Sequence, residues 1–340
     1  MKQNKRYKQS GVDIEAGQRA KELMKSAVRA TYGPEVLSNV GSFGGLFSAA
    51  ALREMADPVL VASTDGVGTK TKVAARLDRW DTIGRDIVNH CLNDILVQGA
   101  RPLFFLDYVA SATLIPQQVA TIVEGVATAC RQAGCALLGG ETAEMPGVYR
   151  PQAVDLVGTV VGVVDRADLI DGSKIEAGDV VLGLPSSGLH TNGYTLARAA
   201  LAELDWQQEL GVLDGRSVGD VLLEPHRSYL AAIEKLRAAR LPVHGLAHIT
   251  GGGLVDNPPR IFPRGIGAVI RRGTWTEPPI FALIQQLGKI SDTEMFHVFN
   301  MGLGMVVIMP RTALEPALAL LEDAAVIGEV AHEISGVLIE

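Results

Sequence analysis

The chain is 340 residues long, 47% hydrophobic and 20% charged, with a net charge of −7. That length favours two packed domains over a single core, and the acidic balance excludes a general polyanion-binding surface, so neither a nucleic-acid nor an anionic-membrane partner is expected. No apolar run approaches the roughly 20 residues that span a bilayer. Residues 1–12 are basic and polar and lack the apolar core of a signal peptide. The three cysteines, Cys91, Cys130 and Cys135, form no CxxC pair, which argues against a disulfide framework or zinc site and for the cytoplasm.

In chain order, residues 1–13 read as a flexible arm and 14–31 as a helix. The β-branched run 58–64 is a strand that stops at the glycine loop Asp65-Gly66-Val67-Gly68. Residues 81–98 carry helical periodicity, with Gly99 as the C-cap. A strand (103–109), a helix (117–133), a short strand (135–138) leading into Gly139-Gly140-Glu141, and a long apolar strand (155–164) complete a first half. Between residues 165 and 178 the chain turns polar, and a boundary there gives domains 1–168 and 169–340. The second half opens with a strand (180–184) and the loop Ser186-Ser187-Gly188, then a helix (193–203) and the loop Thr250-Gly251-Gly252-Gly253. It closes with strand 305–309, helix 313–324 and strand 336–339. Strands and helices alternate without a fixed repeat, so the class is α/β (α+β).

Five stretches carry the residue types of a reaction site. In Asp65-Gly66-Val67-Gly68-Thr69-Lys70, two glycines permit close backbone approach, Asp65 can hold a cation and Lys70 can meet a phosphate. The spacing is not that of a Walker A loop, and a tight structural turn is the other reading. On the helix 81–98, Ile83, Ile87, Val88, Cys91, Leu92 and Ile95 make an apolar stripe, while Asp86, Asn89, His90, Asn93 and Asp94 spread over an arc of roughly 140°. Such short polar side chains are mediocre helix formers. The face therefore reads as groups held close to a ligand, or as a buried hydrogen-bonded face at a subunit contact. Glu141, after Gly139 and Gly140 at a strand end, adds a third carboxylate where α/β sheets place their sites. Like charges ~4 Å apart in an effective dielectric of ~20 repel by about 4 kcal/mol, so three carboxylates beside a triphosphate imply bridging Mg²⁺.

In the second half, Ser186-Ser187-Gly188-Leu189-His190-Thr191-Asn192-Gly193-Tyr194 leads into a helix. His190 is a candidate acid/base and Thr191 and Asn192 candidate ligand contacts, unless one of them is merely the N-cap. His248-Ile249-Thr250-Gly251-Gly252-Gly253 reads as a phosphate cradle. Asn300-Met301-Gly302-Leu303-Gly304 reads as structural.

These blocks resemble the phosphoribosylformylglycinamidine cyclo-ligase (AIR synthetase) family. So do Tyr7-Lys8, Gly11-Val12-Asp13, Phe104-Phe105-Leu106-Asp107-Tyr108 and Gly139-Gly140-Glu141-Thr142-Ala143-Glu144-Met145-Pro146-Gly147, in order along the chain from residue 7. The resemblance implies a two-domain fold, an N-terminal sheet that forms a barrel with that of a homodimer mate, a nucleotide site along that interface, and a C-terminal α/β domain. It implies ring closure of formylglycinamidine ribonucleotide with ATP, through an imidoyl phosphate, to aminoimidazole ribonucleotide, ADP and phosphate. It assigns ATP to Asp65, Gly66, Gly68, Lys70, Asp94, Gly139, Gly140 and Glu141, and Mg²⁺ to Asp65, Asp94 and Glu141. Lys70 would neutralise phosphate charge, His190 and Asn192 would act at the formyl group with Thr191 beside them, and Thr250, Gly251, Gly252 and Gly253 would hold the 5′-phosphate. Segment 39–56, with Gly41-Ser42-Phe43-Gly44-Gly45, follows the family pattern loosely and receives no role.

Other users of this scaffold fit less well. A selenophosphate synthetase would need a cysteine before Cys91, a thiamin-monophosphate kinase an aspartate in place of Glu141, and the hydrogenase-maturation relative a terminal cysteine in place of Glu340. A non-catalytic nucleotide-binding protein is the alternative of a different class, told apart by binding without turnover.

Overall fold

The computed structural model describes residues 5–340; the first four residues of the expected arm lie outside the described residues, and Lys5–Gln9 is a short helix, α1. The chain folds as two units, one of residues up to Ile95 with Arg101–Ala167 and one of Leu96–Ala100 with Asp168–Glu340. No helix among the described residues is long and apolar enough to cross a membrane.

In the first unit α2 (Ile14–Arg29) starts at Asp13, whose carboxylate accepts from the Glu15 and Ala16 N–H groups. There follow β1 (Pro58–Gly66), α3 (Thr71–Leu77), α4 (Ile83–Leu96), β2 (Arg101–Ser111), α5 (Pro116–Gln132), β3 (Ala136–Glu144) and β4 (Val154–Asp165). The sheet order is β1-β4-β2-β3. β4 runs antiparallel to both neighbours, and β2 and β3 are parallel, joined by the α5 crossover that parallel pairing requires. Asp65 lies opposite Gly158, Gly158 opposite Asp107, and Asp107 opposite Gly140, so one row crosses the whole sheet. At Gly158 a side chain would fall on the Phe105 ring and within 2.7 Å of Ile87 Cγ1, which shows how tightly α4 lies on this face. The other face leaves Leu60 and Leu106 exposed.

The expected loop at Gly139-Gly140-Glu141 is strand instead. β3 continues to Glu144 because its residues 139–144 pair in register with 106–111 of β2.

The second unit contains β5 (Val180–Pro185), α6 (Tyr194–Ala200), a ribbon of β6 (Glu209–Leu210) and β7 (Arg216–Ser217), α7 (Val218–Leu222), α8 (Leu230–Ala238), β8 (Gly245–His248) and α9 (Gly253–Asp256). β9 (Ile266–Ile270), α10 (Pro279–Gly288), α11 (Asp292–Val298), β10 (Leu303–Met309), α12 (Leu314–Leu320), β11 (Ala325–His332) and β12 (Gly336–Ile339) complete it. Its six-stranded sheet has the order β12-β9-β11-β5-β10-β8. Every residue of β10 is buried, as its unbroken apolar run requires. Leu182, Leu184, Tyr229, Ile233, Leu246 and Met305 pack in the core of this unit.

Gly158→Ala forces either Phe105 or α4 to shift, and overpacking of that kind costs about 1–3 kcal/mol. Gly17, in α2 with open space around it, should behave oppositely, since alanine is the better helix former by about 0.5–1 kcal/mol. Calorimetry should therefore show a lowered Tm for Gly158→Ala and an unchanged or raised one for Gly17→Ala. Equal Tm values would mean that the sheet-to-α4 spacing is soft.

Candidate functional site

Alternation along β1 turns Val61, Ser63 and Asp65 to the more buried side of the strand. From α4, His90 and Asp94, one turn apart, meet them. His90 Nε2 lies 2.9 Å from Asp65 Oδ2 and 3.8 Å from Asp94 Oδ2. Ser63 Oγ donates to Asp94 Oδ2 at 3.0 Å, and the Gly66 N–H donates to Asp65 Oδ1 at 2.6 Å. Burial works to raise the Asp65 pKa, but the His90 hydrogen bond and charge, with the Gly66 N–H, hold the carboxyl below its usual range. Burial likewise works to lower the His90 pKa, yet Asp65, with Asp94 and Asp86 behind it, raises it above the ordinary value.

The rest of the polar arc on α4 lies inside the fold. Asp86, Asn89, His90 and Asn93 are buried, and only Asp94 is partly exposed. Lys70 also turns inward: its ammonium and the Asp86 carboxylate, both fully buried, are 2.9 Å apart. The lysine expected to meet a phosphate is thus a partner of α4.

Glu141 does not join Asp65 and Asp94 within this chain. It sits on β3, three strands from β1, a separation of about 14 Å at the usual strand spacing, and its neighbour Gly140, not Glu141, occupies the row of Asp65. Gly139, Gly140 and Glu141 instead line a cavity of about 860 Å³ with Lys25, Tyr32 and Asp107. Glu141 Oε1 accepts from the Thr142 N–H at 2.8 Å. Burial pushes the Asp107 carboxyl up to about 7. Segment 39–56, read without a role, contributes residues 39–45 to the same cavity.

In the second unit the loop after β5 is braced from two sides. Ser187 Oγ donates to the Pro225 carbonyl at 2.5 Å, and Asn300 Nδ2 donates to the Gly188 carbonyl at 2.8 Å. His190 is buried in a left-handed backbone conformation, φ +60°, and its Nε2 accepts from the Ser187 N–H at 3.2 Å. Gly304 must be bare, because a side chain there would collide with the His190 ring and the Tyr229 hydroxyl. Gly193 is the N-cap of α6 and makes no side-chain bond, so neither Thr191 nor Asn192 is a simple cap. Thr191 reaches His226, with Oγ1 3.3 Å from Nδ1.

The glycine loop is narrower as a cradle than its sequence suggests. The Thr250 N–H donates to Asn257 Oδ1 at 2.8 Å, and the Gly253 N–H donates to the Thr250 carbonyl at 3.1 Å. The inner amides, those of Gly251 and Gly252, are the ones left to meet an anion, and Asn192 Oδ1 stands 3.3 Å from where a Gly251 side chain would begin. Gly252 and Gly253 both have positive φ, so their glycine identity is needed for the backbone itself.

Around these candidate groups stand Asp107, named in the sequence only within the family block Phe104–Tyr108, and His226 and Asn257, which the sequence did not single out. A lone aspartate in an apolar strand was a signal for Asp107. His226 and Asn257 sit in irregular segments without periodicity and carry none.

Two family models match the chain: AIR synthase related protein, N-terminal domain, over residues 48–164, and AIR synthase related protein, C-terminal domain, over residues 176–339. The phosphoribosylformylglycinamidine cyclo-ligase of Desulfitobacterium hafniense is 50% identical over 335 residues, 97% of this chain and 98% of the relative. That of Geotalea daltonii is 52% identical over 334 residues, 96% of this chain and 94% of the relative. Among solved structures the chain is similar to the hydrogenase maturation protein HypE of E. coli, with TM-score 0.68, 23% identity and coverage of 95% of this chain and 92% of that one. It is also similar to a HypE in complex with ATP, with TM-score 0.68, 20% identity and coverage of 98% and 93%. Thiamine-monophosphate kinase from Stenotrophomonas maltophilia gives TM-score 0.67 and 19% identity over 94% and 96%. At such identities these structures speak for the fold alone.

Removing one partner of a buried ion pair strands the other charge, at about 3–5 kcal/mol. Lys70→Met should therefore shift the urea midpoint strongly, and adding Asp86→Leu should recover much of the loss; a midpoint unchanged in Lys70→Met would show that the pair does not brace the fold. The Asp65–His90 pair predicts a pH signature. Protonated His90 stabilises the fold fully below its ordinary pKa of 6.5 and loses that effect as pH rises through its higher folded value. Ionised Asp65 contributes above its ordinary 3.8 and loses its effect as pH falls through its lower folded value. The Tm gap between wild type and Asp65→Asn should be widest between pH 3.8 and 6.5 and shrink at higher pH. A gap constant with pH would mean that His90 is uncharged in the fold.

Proposed function

The chain belongs to the phosphoribosylformylglycinamidine cyclo-ligase family, and we propose that it uses ATP to close the imidazole ring of formylglycinamidine ribonucleotide, releasing aminoimidazole ribonucleotide, ADP and phosphate. The likeness to the cyclo-ligases along nearly the whole of both chains carries this reading. A cytoplasmic location goes with three buried cysteines, none of them in a disulfide.

The formamide oxygen is a poor leaving group and its carbon a weak electrophile. Transfer of the γ-phosphoryl group of ATP to that oxygen gives an imidoyl phosphate, which the amidine nitrogen attacks as phosphate departs. Asp65 and Asp94 offer hard carboxylate oxygens aimed at one point, now held by His90 Nε2, and this donor set fits Mg²⁺. Bound there, such an ion would neutralise charge on the phosphates of ATP. Glu141 lies on the edge strand opposite to β1, so it completes the set from a second subunit when β1 of one copy lies beside β3 of the other. The exposed Leu60 and Leu106 support burial of that sheet face in a homodimer.

The cavity lined by Lys25, Tyr32, Asp107 and residues 139–141 takes the nucleotide, with Gly66 and Gly68 allowing the phosphates close to the backbone. Lys70 acts by holding the turn against α4, not by touching phosphate. His190, whose Nε2 accepts a hydrogen bond, carries its neutral-state proton on Nδ1 and donates toward charge building on the formyl oxygen. Asn192 and Thr191 position that group, and the amides of Gly251 and Gly252 hold the 5′-phosphate.

Substrate labelled with ¹⁸O at the formyl group tests the reaction and its order of bonds together. Mass spectrometry should find one labelled oxygen in each phosphate released, alongside aminoimidazole product. Unlabelled phosphate with normal product formation would sink the imidoyl phosphate, and no product at all would sink the assignment.

A further inference from the structure

Three buried histidines of the C-terminal unit, His190, His226 and His248, bring ring nitrogens within 4.8 Å of one another. Such a group suggests a transition-metal site, but its geometry is wrong for one. The His190 and His226 rings stack with centroids 3.9 Å apart and 22° between their planes. Imidazole lone pairs lie in the ring plane, so those of stacked rings run side by side instead of converging on an ion. His190 Nε2 moreover already accepts from the Ser187 N–H.

His226 stands in a different relation to its other neighbours. Its Nδ1 is 3.3 Å from Thr191 Oγ1, and its Nε2 is 3.0 Å from His248 Nε2. A neutral imidazole has one donor and one acceptor nitrogen, and a hydroxyl can play either part. The row Thr191, His226, His248 therefore has two complete states. In one, Thr191 donates to Nδ1 and His226 Nε2–H donates to His248; in the other, His248 Nε2–H donates to His226 and Nδ1–H donates to Thr191. Passing between them moves protons along the row without turning a ring.

We propose that His226 is a positioning residue that relays the proton released on ring closure from Thr191 to His248. The proposal rests on the ring-closing reading above. As the amidine nitrogen bonds to the formyl carbon, the C–O bond breaks and phosphate leaves with its electron pair. The N–H pair stays on nitrogen while its proton goes to Thr191 Oγ1. The Thr191 hydroxyl proton passes to His226 Nδ1, and the His226 Nε2 proton passes to His248 Nε2, which ends protonated. Thr191 and His226 each gain one proton and give one up.

The test is His226→Ala in the full-length enzyme, assayed with formylglycinamidine ribonucleotide and ATP. Loss of a proton-transfer partner should lower kcat about 100-fold with KM for both substrates little changed. Added imidazole should restore turnover. Pyrrole has the same ring size and an N–H but no acceptor nitrogen, so it should fill the space without restoring turnover. If the alanine variant does not fold, His226→Gln carries the test, because its amide keeps a donor and an acceptor but cannot exchange them; it too should lose kcat and not KM. Wild-type kcat in either variant, or equal rescue by pyrrole and imidazole, would overturn the relay and leave His226 a packing residue. An inactive wild type would overturn the ring-closing reading and the relay with it, an outcome distinct from the relay's own failure, in which the wild type is active.

Discussion

Two opposite charges withdrawn from water, Lys70 and Asp86, tie the turn after β1 to α4. Parting them would cost each its close opposite charge in a low-dielectric interior, and this couples the turn to the helix. Asp86 and His90 are one helical turn apart on α4, and Lys70 and Asp65 bracket the turn after β1. The buried ion pair and the Asp65–His90 contact are thus two clamps on the same pair of elements. The inner clamp is dry and permanent. The outer one joins a buried histidine to a half-buried aspartate, with the Asp94 carboxylate 3.8 Å from the same His90 Nε2. A dry pair behind a wetter one is a way to hold acidic groups close together against their mutual repulsion.

What could be read in advance follows from how local each signal is. The strand Pro58–Gly66 and the helix Ile83–Leu96 were legible because β-branched runs, helical periodicity and glycine stops act over a few residues. The continuation of β3 through two glycines was not, since it depends on pairing with β2, whose register nothing local encodes. β9 and β11 escaped for a related reason: β11 is bulged beside Gly328 and so lacks a clean alternation. Among the candidate site residues, Asp65, Asp94 and His190 stand out by type and setting. The inward turn of Lys70 did not, because its partner lies on another element and a lysine after a glycine loop looks the same whether it faces a phosphate or an aspartate.

Around their candidate sites the two units handle buried polarity differently. In the first, charge is set against charge: burial is the largest single influence on Asp65 and on His90, and the hydrogen bonds and charges around each together outweigh it. In the second, neutral donors and acceptors are braced by backbone groups, as where Asn257 and Asn300 each hold a loop by two or more hydrogen bonds. Electrostatic clamping suits a place where anions must be tolerated. Hydrogen-bond bracing suits one where small groups must be kept in register.

The bare position at Gly304 has an evolutionary side. The space that an alanine methyl would need is already taken by the His190 ring and the Tyr229 hydroxyl. As long as both rings stay, selection purges every larger residue there. Each of the two is close enough to bar a methyl alone, so a lineage that lost only the histidine would still need glycine here beside Tyr229. Only the loss of both would invite a methyl, and stability would then improve by filling the gap. Neither ring could return without first reversing that gain, because substitutions in contact do not have additive effects. One glycine shared by two rings therefore keeps the way back to the histidine open for as long as the tyrosine stays.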